Sequence, residues 1–310
     1  MNYSIIVPTC NRQKDLASLI DSILKQTILP VEVIVIDQSD SDDTKKYIES
    51  CSNYELTKSN NINFIYMYQT KKNSAAARNK GIDVAKGQVI SFLDDDVVLF
   101  RDYYEKVLSY FDNDKRIGGI GGNVIVENKL QGWKWKLRKG LLKLFLINNF
   151  DGKITKSGFG WPIAEREIDS PMQVEMFSGC NMNFRKEFLK DDKFDEWFTG
   201  YSYREDVDIS YRISGKTLLK MIPEAKLYHN YSKSNRMDVK EQKMMEIKNS
   251  YYFYKKNMKK TMISDFLFLY SLSGLLTISF IEYLCNFNEE KYKQLKGFTK
   301  GIIKLVTNIP

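Results

Sequence analysis

Read for hydrophobic period alone, residues 3–100 alternate between two patterns. Ile5-Ile6-Val7, Val33-Ile34-Val35-Ile36 and Val89–Leu93 are short apolar runs rich in β-branched side chains. Such runs suit strands buried on both faces of a parallel sheet. Between the first two, Leu16, Leu19, Ile20, Ile23 and Leu24 recur at helical spacing, with Asn11 placed to cap the helix and Pro30 beyond its end. A second helix is expected over 42–50, a strand over 63–69, and a small-residue helix over 74–85 that Gly87 stops. Strands separated by helices imply right-handed crossovers and an α/β sheet.

The strand ends carry the chemistry. After the first come Pro8, Thr9 and Asn11; after the second, Asp37; after the third, Asp94, Asp95 and Asp96 in succession. Open α/β sheets bind ligands beyond the carboxyl ends of their strands, so these groups should meet in one crevice. Three adjacent anions repel one another, and a hard divalent cation beside a phosphate would neutralise them. The competing reading is an acidic turn. No GxGxxG follows the first strand and no GxxxxGK[ST] occurs; Gly118-Gly119-Ile120-Gly121-Gly122 has the wrong spacing and reads as a strand with turns. Phosphates bound here would therefore need a metal. Glu205 and Asp206 open an expected helix with Ile209 and Ile213 on its buried side, and His229, the one histidine of the chain, follows the strand-like run Ala225–Tyr228.

Taken in order, the Val-Pro-Thr start, Asp37, Arg78-Asn79-x-Gly81, Leu93-Asp94-Asp95-Asp96, Phe177–Met182 and Glu205-Asp206-Val207-Asp208-Ile209-x-x-Arg212 resemble glycosyltransferase family 2 over about residues 3–230. The resemblance implies a GT-A type α/β fold, a mainly parallel nucleotide-binding sheet flanked by helices. It implies a catalytic domain over 1–232, with its nucleotide-binding half at about 1–100 and its acceptor-side half at 101–232. It also implies inverting transfer of a sugar from a nucleoside-diphosphate sugar to a saccharide or lipid-linked saccharide. By the same resemblance Pro8, Thr9, Asn11 and Asp37 belong to the donor site, Thr9 and Asp37 holding a base that is typically uracil or thymine. Arg78 lies near the diphosphate and Asp94 or Asp95 at the ribose. Asp96 and His229 hold Mn²⁺ or Mg²⁺, and Trp161, Ser178, Gly179, Asn181 and Glu205 face the acceptor. Asp206 is the base that takes the acceptor's proton. Without the resemblance, Thr9 and Asp37 read as loop caps, Arg78 as a surface ion pair and His229 as an ordinary core or surface residue.

Charge changes the picture last. The chain has 310 residues and a formal net charge of +8. The basicity is concentrated in 131–147, where Lys134, Lys136, Arg138, Lys139 and Lys143 interleave with Trp133, Trp135 and leucines, and in 233–260, from Lys233 and Arg236 to Lys260. That points to an anionic surface, membrane rather than nucleic acid because no nucleic-acid motif occurs. Residues 233–310 read as a basic and apolar helical extension. Its uncharged run Phe266–Ile281 would span about 24 Å as a helix, short of a ~30 Å hydrocarbon core, and so reads as buried or monotopic. Four scattered cysteines and the absence of a leader-like start suit a cytosolic enzyme, peripheral on the inner face of the membrane. The rivals are a sugar-phosphate nucleotidyltransferase and a non-catalytic membrane-surface binding protein with a decayed site; a homo-oligomer is left open.

Overall fold

The computed structural model describes residues 1–51, 61–125, 132–163, 167–230 and 237–307. The chain forms two compact units, Met1–Glu127 with Ala164–Asn235, and Asn128–Ile163 with Arg236–Pro310.

In the first unit the apolar runs become strands β1 (Tyr3–Thr9), β2 (Glu32–Asp37), β3 (Asn63–Tyr68) and β4 (Val89–Phe92). Helices α1 (Gln13–Leu24), α2 (Asp43–Cys51) and α3 (Ser74–Val84) alternate with them. Three short or bent strands follow in sequence, β5 (Val97–Leu99), β6 (Ile117–Ile125) after helix α4 (Tyr103–Asn113), and β7 (Met172–Val174). Strand β8 (Met182–Arg185), helix α6 (Glu205–Ser214) and strand β9 (Leu218–His229) complete the unit. The sheet runs β3-β2-β1-β4-β8-β6-β9-β5, with β7 also on β9. The first four strands are mutually parallel, as expected; β8 runs antiparallel to both β4 and β6. Residues of β1, β2 and β4 are buried almost throughout, which is why their sequences do not alternate.

Register builds the crevice. Thr9 lies opposite Asp37, and Ile6 opposite Phe92, so the segments after β1, β2 and β4 emerge together. On the other side Val97 pairs with His229, which sets the histidine beside Asp96; the Asn230 N–H closes the pair on the Asp96 carbonyl at 2.9 Å.

Three expectations change. Asn11 does not cap α1: the cap position is Arg12, without a side-chain bond, and Asn11 sits in the left-handed region at φ 56°. Residues 118–122 lie within one continuous strand, β6. Their glycines leave room for neighbours: a Cβ on Gly122 would stand 2.5 Å from the Ala225 carbonyl oxygen and 2.6 Å from the Tyr103 ring. The basic aromatic segment, which falls within the acceptor-side half expected at 101–232, forms α5 (Trp133–Leu144) in the second unit. There Leu142, Phe145 and Ile147 join a core with Ile247, Phe268, Leu272 and Leu275, because its apolar side finds cover on the C-terminal helices.

Those helices are α7 (Val239–Asn257), α8 (Met262–Asn286) and α9 (Glu289–Thr307). The uncharged run thus sits inside a helix of 25 residues, about 37 Å at 1.5 Å per residue, long and apolar enough to cross a membrane by length and composition. The helix outruns the uncharged run because its charged ends are partnered. Tyr254 donates to Asp265 at 2.6 Å, and Glu282 binds Arg138 at 2.7 Å and Lys291 at 2.8 Å. One face, Phe268, Ser271, Leu272, Leu275 and Ile278, is buried in the unit. The expected boundary at 232–233, with Lys233, Arg236 and Gln131, lies outside the described residues.

Gly122→Ala should reveal the tightness of β6: the methyl meets backbone on one side and a buried ring on the other. Urea unfolding should show a loss of about 1–3 kcal/mol, as overpacked cores do; unchanged stability would mean β6 and β9 can separate freely.

Candidate active site

The site grows from the strand ends of the first unit. Asn11, left-handed after β1, receives the Asp40 N–H at 2.9 Å on its amide oxygen and donates to the Asp40 carboxylate at 2.8 Å. The loop after β1 is thereby tied to the loop after β2. Asp37 is fully buried: it accepts the Ser39 N–H at 2.9 Å, the Ser39 hydroxyl, and the Tyr66 hydroxyl at 2.9 Å. Pro8 pairs with Ile36 within the sheet.

The three carboxylates after β4 diverge, and each meets a different partner. Asp95 is buried, accepts the Thr9 hydroxyl at 2.7 Å and pairs with Arg12 at 3.2 Å. Burial is the main influence on this carboxyl and pushes its pKa up to about 7, against the pull of Thr9 and Arg12. Asp96, also buried, faces His229 Nε2 at 3.0 Å and Arg12 at 3.7 Å. Burial disfavours the charged imidazolium, but the Cys180 sulfur and the Asp96 carboxylate outweigh it and raise the His229 pKa to about 11. Asp94, one-third exposed, binds Arg78 at 2.9 Å. One ligand atom from each of Asp94, Asp96 and His229 lies within 4.8 Å of the others. Two carboxylates and one imidazole, which gives up its proton on binding, are a donor set suited to Mn²⁺, so the residues present fit a divalent cation. Asp94 thus joins the pair expected for the metal.

Across the crevice, Arg78 is buried, its guanidinium bound to Glu205 and Asp94 and 3.4 Å from the Gly179 carbonyl. Glu205 is buried, and desolvation pushes its pKa up to about 8 despite Arg78. Asp206 remains half-buried; the Gly179 N–H and its neighbour Val207 N–H each donate to it at 2.8 Å. Burial raises its pKa and those two bonds oppose the rise.

The acceptor-side expectations separate. Gly179 touches Asp206 directly, whereas Ser178 lies one residue away and receives the Cys180 thiol at 3.4 Å. Asn181 is built into the sheet: its amide bonds the Gly122 N–H and carbonyl at 2.9 and 2.7 Å. Trp161 belongs to the second unit, its ring 6.0 Å from the Arg138 guanidinium. Arg12 and Tyr66 were not foreseen. The signal for Arg12 was its place directly after the first strand end, where the crevice rule applied to it as much as to Thr9.

Residues 4–191 match the family described as Glycosyl transferase family 2, more than half of the chain. The chain belongs to glycosyltransferase family 2. Its relatives are described as glycosyltransferases. It is 29% identical over 197 residues to the GalNAc(5)-diNAcBac-PP-undecaprenol beta-1,3-glucosyltransferase of Campylobacter jejuni, covering 64% of this chain and 56% of that protein. It is 30% identical over 122 residues to the amylovoran biosynthesis glycosyltransferase AmsB of Erwinia amylovora, covering 39% of this chain and 38% of the relative. The chain therefore spans about half or less of the length of these relatives. In fold it resembles the mannosyltransferase PcManGT of Pyrobaculum calidifontis, solved with GDP-Man and Mn²⁺, at a TM-score of 0.60 and 13% identity, over 99% of this chain and 86% of that one. It likewise resembles residues 1–349 of S. aureus TarS at a TM-score of 0.58 and 16% identity, over 99% and 82%. The fold is of GT-A type.

The carboxylate triplet should respond to Thr9→Val. Asp95 would lose its hydroxyl donor inside the protein, at a cost of about 1–3 kcal/mol in chemical denaturation. An unaltered midpoint would show that Arg12 alone satisfies Asp95.

Proposed function

We propose that this glycosyltransferase moves a sugar, with inversion, from a nucleoside-diphosphate sugar to a lipid-linked or polysaccharide glycan in cell-surface polysaccharide synthesis. The observation that carries the reading is the convergence of Asp94, Asp96 and His229 in the same crevice as a half-buried Asp206. The printed activities of the relatives, a lipid-linked oligosaccharide glucosyltransferase and an exopolysaccharide enzyme, support the acceptor class. Uracil or thymine is the expected base, with Asp37 orienting Tyr66 and Ser39 at that end of the crevice.

In the transfer, Asp206 takes the proton of the acceptor hydroxyl as the new bond to sugar C1 forms, and the C1–phosphate oxygen bond breaks on the opposite face. Half-burial suits this: the carboxylate is reachable, while two N–H groups fix its orientation. Asp94, Asp96 and His229 would hold a divalent cation, which when bound would neutralise charge on the diphosphate. Family membership disfavours the nucleotidyltransferase rival; the hydrolysis assay below tests the non-catalytic one.

The enzyme works at the inner face of the membrane, and the second unit supports that reading. Trp133, Leu137 and Leu144 of α5 are exposed among its lysines, and Met262, Ile263, Phe266 and Leu269 of α8 are exposed as well. Exposed apolar groups set among basic ones fit an anionic lipid interface. The two tryptophans differ: Trp135 packs edge-on to Phe150, ring centroids 5.8 Å apart, whereas Trp133 is 68% exposed.

Three outcomes follow. With UDP and Mn²⁺ in isothermal titration, Asp96→Ala and His229→Ala should each weaken metal-dependent binding about tenfold or more. Unchanged affinity in both would remove this metal site. A panel of nucleotide sugars should show slow Mn²⁺-dependent hydrolysis by the native chain, and Asp206→Asn should lower its kcat by about 10²-fold or more with little change in UDP affinity. Equal turnover would take the base role from Asp206. The full chain should cosediment with anionic vesicles at low salt, less so at high salt, and Trp133→Ala with Phe266→Ala should release it further without altering UDP affinity. Full recovery of the native chain in the supernatant would sink the membrane reading.

A further inference from the structure

We infer that Arg78 and Glu205 form a buried tether that positions Asp206 relative to the metal-side carboxylates, and that Arg78 does not serve as a ligand of the donor phosphates. The inference deepens the glycosyltransferase reading above and rests on it.

The donors of Arg78 decide its role. One terminal nitrogen is bound to Glu205; the other lies 2.9 Å from Asp94 and 3.4 Å from the Gly179 carbonyl. The guanidinium carbon stands 5.6 Å from the Phe194 ring centroid, and the residue is 3% exposed. Its Nε has no hydrogen-bond partner, but either terminal nitrogen would have to abandon protein partners to reach a phosphate. Glu205 is equally enclosed, and its second oxygen has no hydrogen-bond partner. A buried ion pair with an unsatisfied oxygen gives less stability than apolar residues of the same volume, so its use is one of geometry.

The backbone around the pair supports the same reading. Ser202 and Arg204 both adopt left-handed conformations, at φ 52° and 74°, immediately before α6 begins at Glu205. Such conformations are costly outside glycine and persist where surrounding contacts hold them. Once Glu205 is fixed on Arg78, the next residue of a helix is fixed about 100° around its axis. That residue is Asp206, and it meets the Gly179 N–H at 2.8 Å. Arg78 and Asp206 thus grip opposite polar groups of one residue, the carbonyl and the amide of Gly179. Asp94 is linked to Asp206 through Arg78 and then Gly179. Transfer needs the leaving side and the base at a set separation, and an error of about 1 Å costs about 10²-fold in rate.

The test compares Arg78→Lys, Glu205→Ala, Glu205→Gln and the double variant Arg78→Lys with Glu205→Ala. UDP–Mn²⁺ affinity, hydrolysis of the nucleotide sugar accepted by the native chain, and hydrogen exchange at the Gly179 and Val207 amides are measured for each. A tether predicts kcat lower by about 10- to 100-fold in Arg78→Lys and Glu205→Ala, with KM and UDP affinity within about threefold. The double variant should be no worse than either single one, Glu205→Gln should recover part of the loss by still accepting from Arg78, and exchange at both amides should quicken. Should Glu205→Ala fail to fold, the Glu205→Gln and Arg78→Lys pair carries the same comparison. A tenfold loss of UDP affinity in Arg78→Lys, absent from the Glu205 variants, would make Arg78 a phosphate ligand and overturn the inference. A lowered melting temperature with unchanged kcat would reduce the pair to a structural role and overturn it too. No hydrolysis by the native chain would sink the glycosyltransferase reading itself, and unchanged amide exchange would still refute the tether.

Discussion

Three neighbouring carboxylates at the end of β4 cannot share one direction, and the site depends on how the fold separates them. Asp94 turns to Arg78, Asp95 to Arg12 and Thr9, and Asp96 to His229. Those partners come from α3, from the turn after β1 and from the end of β9, so closing the charges requires the whole sheet to be assembled. Repulsion between adjacent anions, harmful in an isolated turn, becomes a requirement that draws distant segments to one place. Asp95 shows the balance: with a hydroxyl and a guanidinium against it, burial still lifts its pKa to about 7.

The parallel half of this arrangement is visible in the sequence because strands covered on both faces leave unbroken β-branched runs. The other half is less visible. Strand β6 carries four glycines where a strand pattern expects side chains, since its room is filled from outside by rings and sulfur of its neighbours. Asn11 looks like a helix cap because caps and left-handed turns favour the same residue; here the amide was needed by Asp40 across the crevice. The length of α8 was hidden by Asp265 and Glu282, charges that end an apolar run in sequence but are partnered inside a helix.

The candidate site shows the same division. Carboxylates at strand ends declare themselves, since the topology fixes where strand ends meet. Arginines declare themselves less, because a basic residue at a surface is ordinarily solvated: Arg12 had only its place after the first strand end, and the inward ion pairs of Arg78 exist only in the fold. His229 could be placed only through the order of motifs, while the reason for its position, the pairing of Val97 with His229, exists only in the folded sheet. Asn181 is the converse case. Its motif suggested contact with the acceptor, yet both ends of its amide are occupied by Gly122, so it shapes the crevice by holding β6.

These partnerships also say which groups are left to face substrate. Asp95, Glu205 and Arg78 are enclosed, Asp95 on Thr9 and Arg12 and the other two on each other, with Glu205 Oε2 and Arg78 Nε left without a hydrogen-bond partner. Asp94 and Asp206 retain exposure, each held from behind by a buried group. An exposed carboxylate held by one buried partner keeps its direction without losing its remaining lone pairs. Under the proposed transfer, one such group would face the departing phosphate and the other the arriving hydroxyl. Of the buried carboxylates, Glu205 holds the Arg78 that steadies Asp94, while Asp96 faces His229.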